Sequence, residues 1–137
     1  MKMQRTLVLI KPDGVKKGLT EADVVAGSNL KVIKSHRLTP SWDLACKHYV
    51  EHEEKAYFHR ITLGLSSGDV IAVIVEGEDA VTTMRAIVGN RSDSTTLRGK
   101  YSNPDVMHEN AVHASDSIES AEREIPLWFT DVSGIDM

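Results

Sequence analysis

Two short apolar runs most restrict what this chain can fold into. Residues 7–10 (Leu-Val-Leu-Ile) and 70–75 (Val-Ile-Ala-Val-Ile-Val) are continuous rather than alternating, and the second is rich in β-branched side chains. Such runs suit strands with both faces covered, where no position has to meet water. Strands are therefore expected over 6–11 and 70–75. A less regular one is expected over 30–38, where Val32 and Ile33 stand between lysines, and a short fourth over 111–113. Between the first two strands lies a helix, 20–26, stopped by Gly27, Ser28 and Asn29. Helical patterns also cover 42–50 and 58–65. Residues 80–88 form the clearest helix, with Ala80, Met84, Ile87 and Val88 on one face and Glu78 and Asp79 at its positive end. A last helix follows Asp116, which with Glu119 forms a capping pair, and Pro126 is expected to stop it after Ile125. The order β-α-β-(α)-β-α-β, with helices to cover one face, predicts an α+β fold: a ferredoxin-like βαββαβ sandwich around a four-stranded antiparallel sheet.

With 137 residues, no repeat and no linker composition, residues 1–137 read as a single domain. The one cysteine, Cys46, excludes an internal disulfide and fits a reducing, cytoplasmic setting. The apolar runs are too short to span a bilayer, and the start is too meagre for a signal peptide, so no membrane partner is expected. A net charge of −4 disfavours general attraction to nucleic acid. A polyanionic ligand would need a local basic pocket.

Several residues could build one. Lys11 ends a buried strand, where an unpaired ammonium is costly, so a carboxylate or a phosphate should meet it. Arg85 lies on the 80–88 helix, as a solvated cation or as part of a site. Arg98 lies in residues 89–109, a stretch without periodicity, and long loops of that kind in compact domains are commonly functional. The planar arginine fork suits phosphate oxygens. His113 sits where the last strand ends, and an imidazole is suited to taking and returning a group near neutral pH, with an unperturbed pKa of about 6.5. Glu124 follows one helix length later, either as a solvated helix charge or folded back onto that ring. His48 and His52, four apart, could pair on a metal, but no third ligand is evident.

The segment Asn110-Ala111-Val112-His113-Ala114-Ser115-Asp116-Ser117 closely resembles the active-site signature of nucleoside diphosphate kinases. So do Arg5 to Val15 around Lys11-Pro12-Asp13-Gly14, and His48-Tyr49, Glu76-Gly77 with Arg85, and Arg98-Gly99; the resemblance runs from about Gln4 to Phe129. It implies the same fold and ping-pong transfer of the γ-phosphate of ATP to nucleoside and deoxynucleoside diphosphates through a phosphohistidine at His113. It further implies Glu124 holding the ring nitrogen that does not attack, with Ser115 and Tyr49 supporting. Lys11, Arg85, Arg98 and Asn110 would bind the nucleotide, with Tyr57 stacking on the base. Mg²⁺ would arrive on the nucleotide phosphates. The partners implied are nucleoside di- and triphosphates, without specific nucleic acid, and further copies of the chain in a homo-oligomer, hexamer before tetramer. Two rivals are a nucleotide-binding regulator of the same fold that no longer turns over, and a nucleic-acid-binding sheet. The full set of matching residues opposes the first, and the acidic balance opposes the second.

The chain also departs from the family pattern. Residues 89–98 are shortened and lack the usual small hydroxyl residue after the glycine, Lys100 replaces an aspartate, and the stretch before Asn110 is lengthened. Arg91, two residues past Gly89, is expected either in the nucleotide cleft on phosphate or on the surface paired with Asp93. Thr95 or Thr96 is the candidate to restore the lost hydroxyl.

Overall fold

The computed structural model describes residues 3–129. In chain order its elements are β1 (Met3–Ile10), α1 (Pro12–Lys16), α2 (Glu21–Val25), β2 (Lys31–Leu38), α3 (Trp42–His48), α4 (Phe58–Leu65), β3 (Val70–Glu78), α5 (Ala80–Val88), α6 (Leu97–Tyr101), β4 (Val112–Ala114) and α7 (Ile118–Phe129). The strands form one antiparallel sheet in the order β2-β3-β1-β4. This is the expected α+β sandwich, and the two continuous apolar runs are its two central strands.

The parity of those runs divides the core. Val8, Ile10, Val73 and Val75 face one side, against Val24 of α2, Met84 and Val88 of α5 and Leu97 of α6. Leu7, Leu9, Ala72 and Ile74 face the other, against Ala45 of α3, Leu65 of α4, and Trp128 and Phe129 of α7. Helices thus cover both faces rather than one. Each fully buried large aliphatic contributes about 1.5–3 kcal/mol relative to exposure.

Local chemistry sets the element ends. Thr20 and Asp23 form a capping box that starts α2. A bulge between Val32 and Lys34 explains the irregular pattern of β2 and leaves Ile33 exposed. The helix expected over 42–50 ends at His48 and continues as a 3₁₀ turn, Val50–His52. Asp79 is the N-cap of α5 but makes no side-chain cap bond; the Val81 N–H donates to the Gln4 side chain instead. Gly89 closes α5 at φ 61°, where a Cβ would stand 2.1 Å from the Thr96 side chain, so only glycine fits.

Four expectations are corrected. Lys11 is not part of β1 but the extended N-cap of α1, so Pro-Asp-Gly opens a helix rather than a simple turn. The 89–109 stretch contains α6, started by Thr96, whose hydroxyl accepts from the Gly99 N–H. Pro126 does not stop α7 but lies inside it. A proline there forfeits a backbone hydrogen bond, at a cost of about 3 kcal/mol. The buried anchors Trp128 and Phe129, 3% and 4% exposed, keep the last turn on the core. Asp116 does not cap α7 either: the Ser117 hydroxyl accepts from the Ser120 N–H, and Asp116 accepts from the Ser120 hydroxyl.

Candidate active site

The segment that delivers His113 is braced by the start of α1. Ala111 sits at φ 70°, a left-handed conformation costly for a residue with a Cβ. Its N–H donates to Asp13 Oδ2 at 2.8 Å, and its carbonyl accepts from the Lys11 N–H at 2.9 Å. A Cβ on Gly14 would stand 2.4 Å from that same carbonyl. Lys-Pro-Asp-Gly is therefore a cradle for the turn into β4, where His113 lies opposite Leu9 of β1.

His113 turns its Nε2 to Glu124 Oε1 at 3.0 Å. The Ser115 hydroxyl donates to the same oxygen at 2.7 Å, and Arg123 reaches the other carboxylate oxygen at 3.4 Å. Arg123 is itself fixed on the carbonyls of Lys47 and His48. A carboxylate on Nε2 fixes the proton there, so Nδ1 keeps a bare lone pair. Glu124 is buried at 5% exposure and is not the solvated helix charge that was the alternative.

A second histidine supports the first. Trp128 Nε1–H donates to His48 Nδ1 at 3.1 Å, which places the His48 proton on Nε2. The His48 ring stands edge-on to that of His113, centroids 4.5 Å apart. Burial, then the charges of His113 and Arg123, hold His48 well below the ordinary histidine range, so it stays neutral. Tyr49 meets this group through its ring, 4.8 Å from that of His48, and not by a hydrogen bond to His113. Burial pushes its phenol up. The His48–His52 metal pair does not assemble: His52 Nδ1 bonds the Tyr57 hydroxyl at 2.9 Å. Tyr57 is 40% exposed.

Across the cleft stand the cations. Lys11 is 6% exposed, and among the described residues no carboxylate pairs with it. Its ammonium donates to the His108 carbonyl at 2.8 Å and to Asn110 Oδ1 at 2.7 Å. Burial above all, with Arg98 and Arg91, lowers it to about 8 against the opposing pull of Asp13 and Glu109. Arg85, exposed on α5, donates to the Ala114 carbonyl at 3.2 Å, and Arg98 to the Val112 carbonyl at 3.0 Å. Burial and the charge of Arg85 push Arg98 down. Among the described residues none of these three lies on a carboxylate.

Lys11, Arg85, Arg98, His48, Tyr49, His113 and Glu124 line one cleft of about 330 Å³. Two larger grooves of about 700 Å³, by β2 and beside Met3 and Pro126, contain no histidine. Asn110 borders the cleft through Lys11. Arg91 lies neither on Asp93 nor in the cleft lining: its guanidinium holds the carbonyls of Asn103, Val106 and Met107. Asp93 accepts from Thr95 instead, and the Thr96 hydroxyl is spent on the carbonyls of Asn90 and Asp93. Sequence reasoning missed the bracing roles of Asp13, Arg123 and Trp128. Only Asp13, inside a motif already singled out, offered a signal.

A histidine with one nitrogen locked and the other bare, facing cations that no carboxylate neutralises, is the equipment of a phosphotransferase. The sequence profile described as nucleoside diphosphate kinase matches residues 4–133. The nucleoside diphosphate kinase of Exiguobacterium sibiricum is 41% identical over 136 residues, covering 93% of this chain and 95% of its own length. That of Saccharolobus islandicus is 40% identical, covering 94% and 96%. The crystal structure of the Aquifex aeolicus nucleoside diphosphate kinase superposes with a TM-score of 0.87 at 31% identity, over 93% of this chain and 96% of that one. The chain belongs to the nucleoside diphosphate kinase family.

Proposed function

We propose that this chain moves the γ-phosphate of ATP to nucleoside and deoxynucleoside diphosphates by a ping-pong route through His113. The observation that carries this reading is the 3.0 Å contact of His113 Nε2 with Glu124, which leaves Nδ1 as the nucleophile. Nδ1 attacks the γ-phosphorus; the bond to the bridging oxygen breaks and ADP leaves with that electron pair. A terminal oxygen of the second diphosphate then attacks the phosphohistidine, and the electron pair returns to Nδ1. Splitting the transfer this way needs only one nucleotide site.

Lys11, Arg85 and Arg98 stabilise the charge on the moving group, the main requirement of phosphoryl transfer. Asn110 has given its side-chain oxygen to Lys11, so its amide N–H is the donor left for the nucleotide. The open face of Tyr57 suits stacking on any base, which implies broad specificity. Mg²⁺ enters on the phosphates of its substrate. Among the described residues the one group spaced for a metal is His48, His113 and Glu124, with ligand atoms within 4.8 Å. That group does not fit an ion, because Trp128 occupies His48 Nδ1, and His113 and Ser115 occupy Glu124 Oε1.

The chain is further proposed to act in the cytoplasm as a homo-oligomer, a hexamer in preference to a tetramer. Cys46 is free, no helix among the described residues is long and apolar enough to cross a membrane, and β2 is an edge strand. Light scattering of the eluted protein separates the two assemblies.

Incubation with γ-labelled ATP tests the mechanism. Label should appear on the protein, be lost in acid and survive alkali, and pass to added GDP. His113→Ala should take up none. Label on a serine, or label in His113→Ala, would sink the reading.

A further inference from the structure

Two of the departures from the family pattern, the shortened 89–98 segment and the lengthened stretch before Asn110, meet through one side chain. Residues 103–109 close on themselves. The Asn103 N–H donates to the Glu109 carbonyl at 2.8 Å, the Asn103 amide to Glu109 Oε1 at 3.1 Å, and the Glu109 N–H to the Val106 carbonyl at 3.0 Å. A loop with its ends this close is an Ω-loop, held by its own groups. Arg91 from the shortened segment fills it: Nη1 donates to the Asn103 carbonyl at 3.2 Å, and Nη2 to those of Val106 at 3.2 Å and Met107 at 2.7 Å. A planar fork with five fixed donors can serve three carbonyls at once, where an ammonium on a flexible stem holds them less rigidly.

The next carbonyl along the loop is that of His108, which accepts from Lys11 Nζ, and Asn110 takes a second bond from the same ammonium. We propose that Arg91 is a positioning residue for phosphoryl transfer: by clamping the carbonyls of 103–107 it fixes the two oxygens that aim Lys11 into the cleft. The proposal rests on the reading of Lys11 as a phosphate-holding cation. It also accounts for the lengthened loop, which without a cross-brace would leave those oxygens on a mobile segment.

The groups facing Lys11 are Asp13 on α1, His48 on α3, Arg98 on α6, Glu109 on the loop, and Arg91. Burial is the largest influence on it. Loosening the loop admits water, and loss of the Arg91 charge acts in the same direction, so both raise the Lys11 titration.

The test uses the full chain with Arg91→Ala and Arg91→Lys, the second keeping the charge and losing the fork. Hydrogen exchange reports the amides of 103–109, pH-dependent acetic anhydride labelling reports Lys11, and ADP affinity and single-turnover labelling of His113 report function. Both variants should speed exchange in the loop by roughly tenfold, the weight of about one lost hydrogen bond. Both should move the Lys11 midpoint from about 8 toward 10.5. Labelling of His113 should slow about tenfold through misplacement, while ADP binding changes less than about twofold. ADP affinity weakened fivefold or more with unchanged loop exchange would place Arg91 on phosphate and overturn the clamp. Wild-type exchange and titration in Arg91→Lys would also overturn it, since charge alone would then suffice. If Arg91→Ala fails to fold, Arg91→Lys carries the same readouts. Normal transfer by Lys11→Ala would instead overturn the reading of Lys11, and would do so whatever the loop shows.

Discussion

On the α7 side of the cleft each key side chain ends on another side chain: His113 and Ser115 on Glu124, and His48 on Trp128. On the opposite side, Arg85 and Arg98 end on backbone carbonyls, as Arg91 does behind them, and Lys11 ends on a carbonyl and an amide oxygen. The difference follows from what each side must do. A nucleophile needs its tautomer fixed, and a carboxylate does that by demanding a proton. Cations that must meet phosphate need orientation without neutralisation, and neutral dipoles supply that while leaving the full charge available. Acids stand near both sides, but only on the α7 side does one bond directly to a key side chain.

The sharpest way to break this contrast is to remove the free cations. Arg85→Ala and Arg98→Ala should each slow transfer by roughly 10²–10³-fold, the scale of losing one preorganised charge donor, and Lys11→Ala by at least as much. Losses below threefold in all three, measured in single turnover, would remove the phosphate pocket.

Asn110→Asp puts an acid where the structure has none. The shape is kept, the Lys11 contact becomes an ion pair, and transfer should fall by about 10²-fold as the ammonium is neutralised. The same contrast appears in the pH profile. With Lys11 lowered to about 8, kcat/KM of the free enzyme should decline above pH 8 as the ammonium loses its proton. In Asn110→Asp that decline should move to higher pH, because the new charge holds the proton; an unmoved limb would show that another group sets it.

The smallest effect belongs to the support of the nucleophile. Trp128→Phe leaves His48 Nδ1 buried without its donor and should cost about 1–3 kcal/mol in urea unfolding. Because His48 is depressed in the folded state, its contribution is present above the unfolded value of 6.5 and is lost as pH falls below it. His48→Gln should flatten that acid dependence. Equal slopes in the two proteins would assign it elsewhere.

The sheet was legible because residues 7–10 and 70–75 leave no polar position, and only central strands accept that. His113 and Glu124 stood out through the resemblance of their segments to the family signature, and Lys11 because an unpaired ammonium at the end of a buried strand is costly. The braces were not legible. His48 and Trp128 meet across a sequence separation of 80, and Asp13 and Ala111 across 98. Such pairs leave no periodic trace, and Trp128 at a helix end reads as core. Arg91 was misjudged because a cation beside a phosphate site suggests phosphate, whereas a lengthened loop offers an arginine equally good oxygens. Pro126 misled because a local rule was overruled by the burial of two aromatic rings.

The cation side of the cleft has one consequence for the protein without its substrate. Arg98 and Arg91 lower Lys11, and Arg85 and Arg91 lower Arg98, so like charges are held together without an ion pair to a carboxylate among the described residues. Any polyphosphate that enters relieves that repulsion as well as making its own contacts, and whatever binds only the folded chain stabilises it. A polyphosphate in this cleft would thus act as a counter-ion for the fold. The ligand-free protein should soften most at low ionic strength, where the repulsion is least screened, and salt and substrate should firm up the same corner of the molecule.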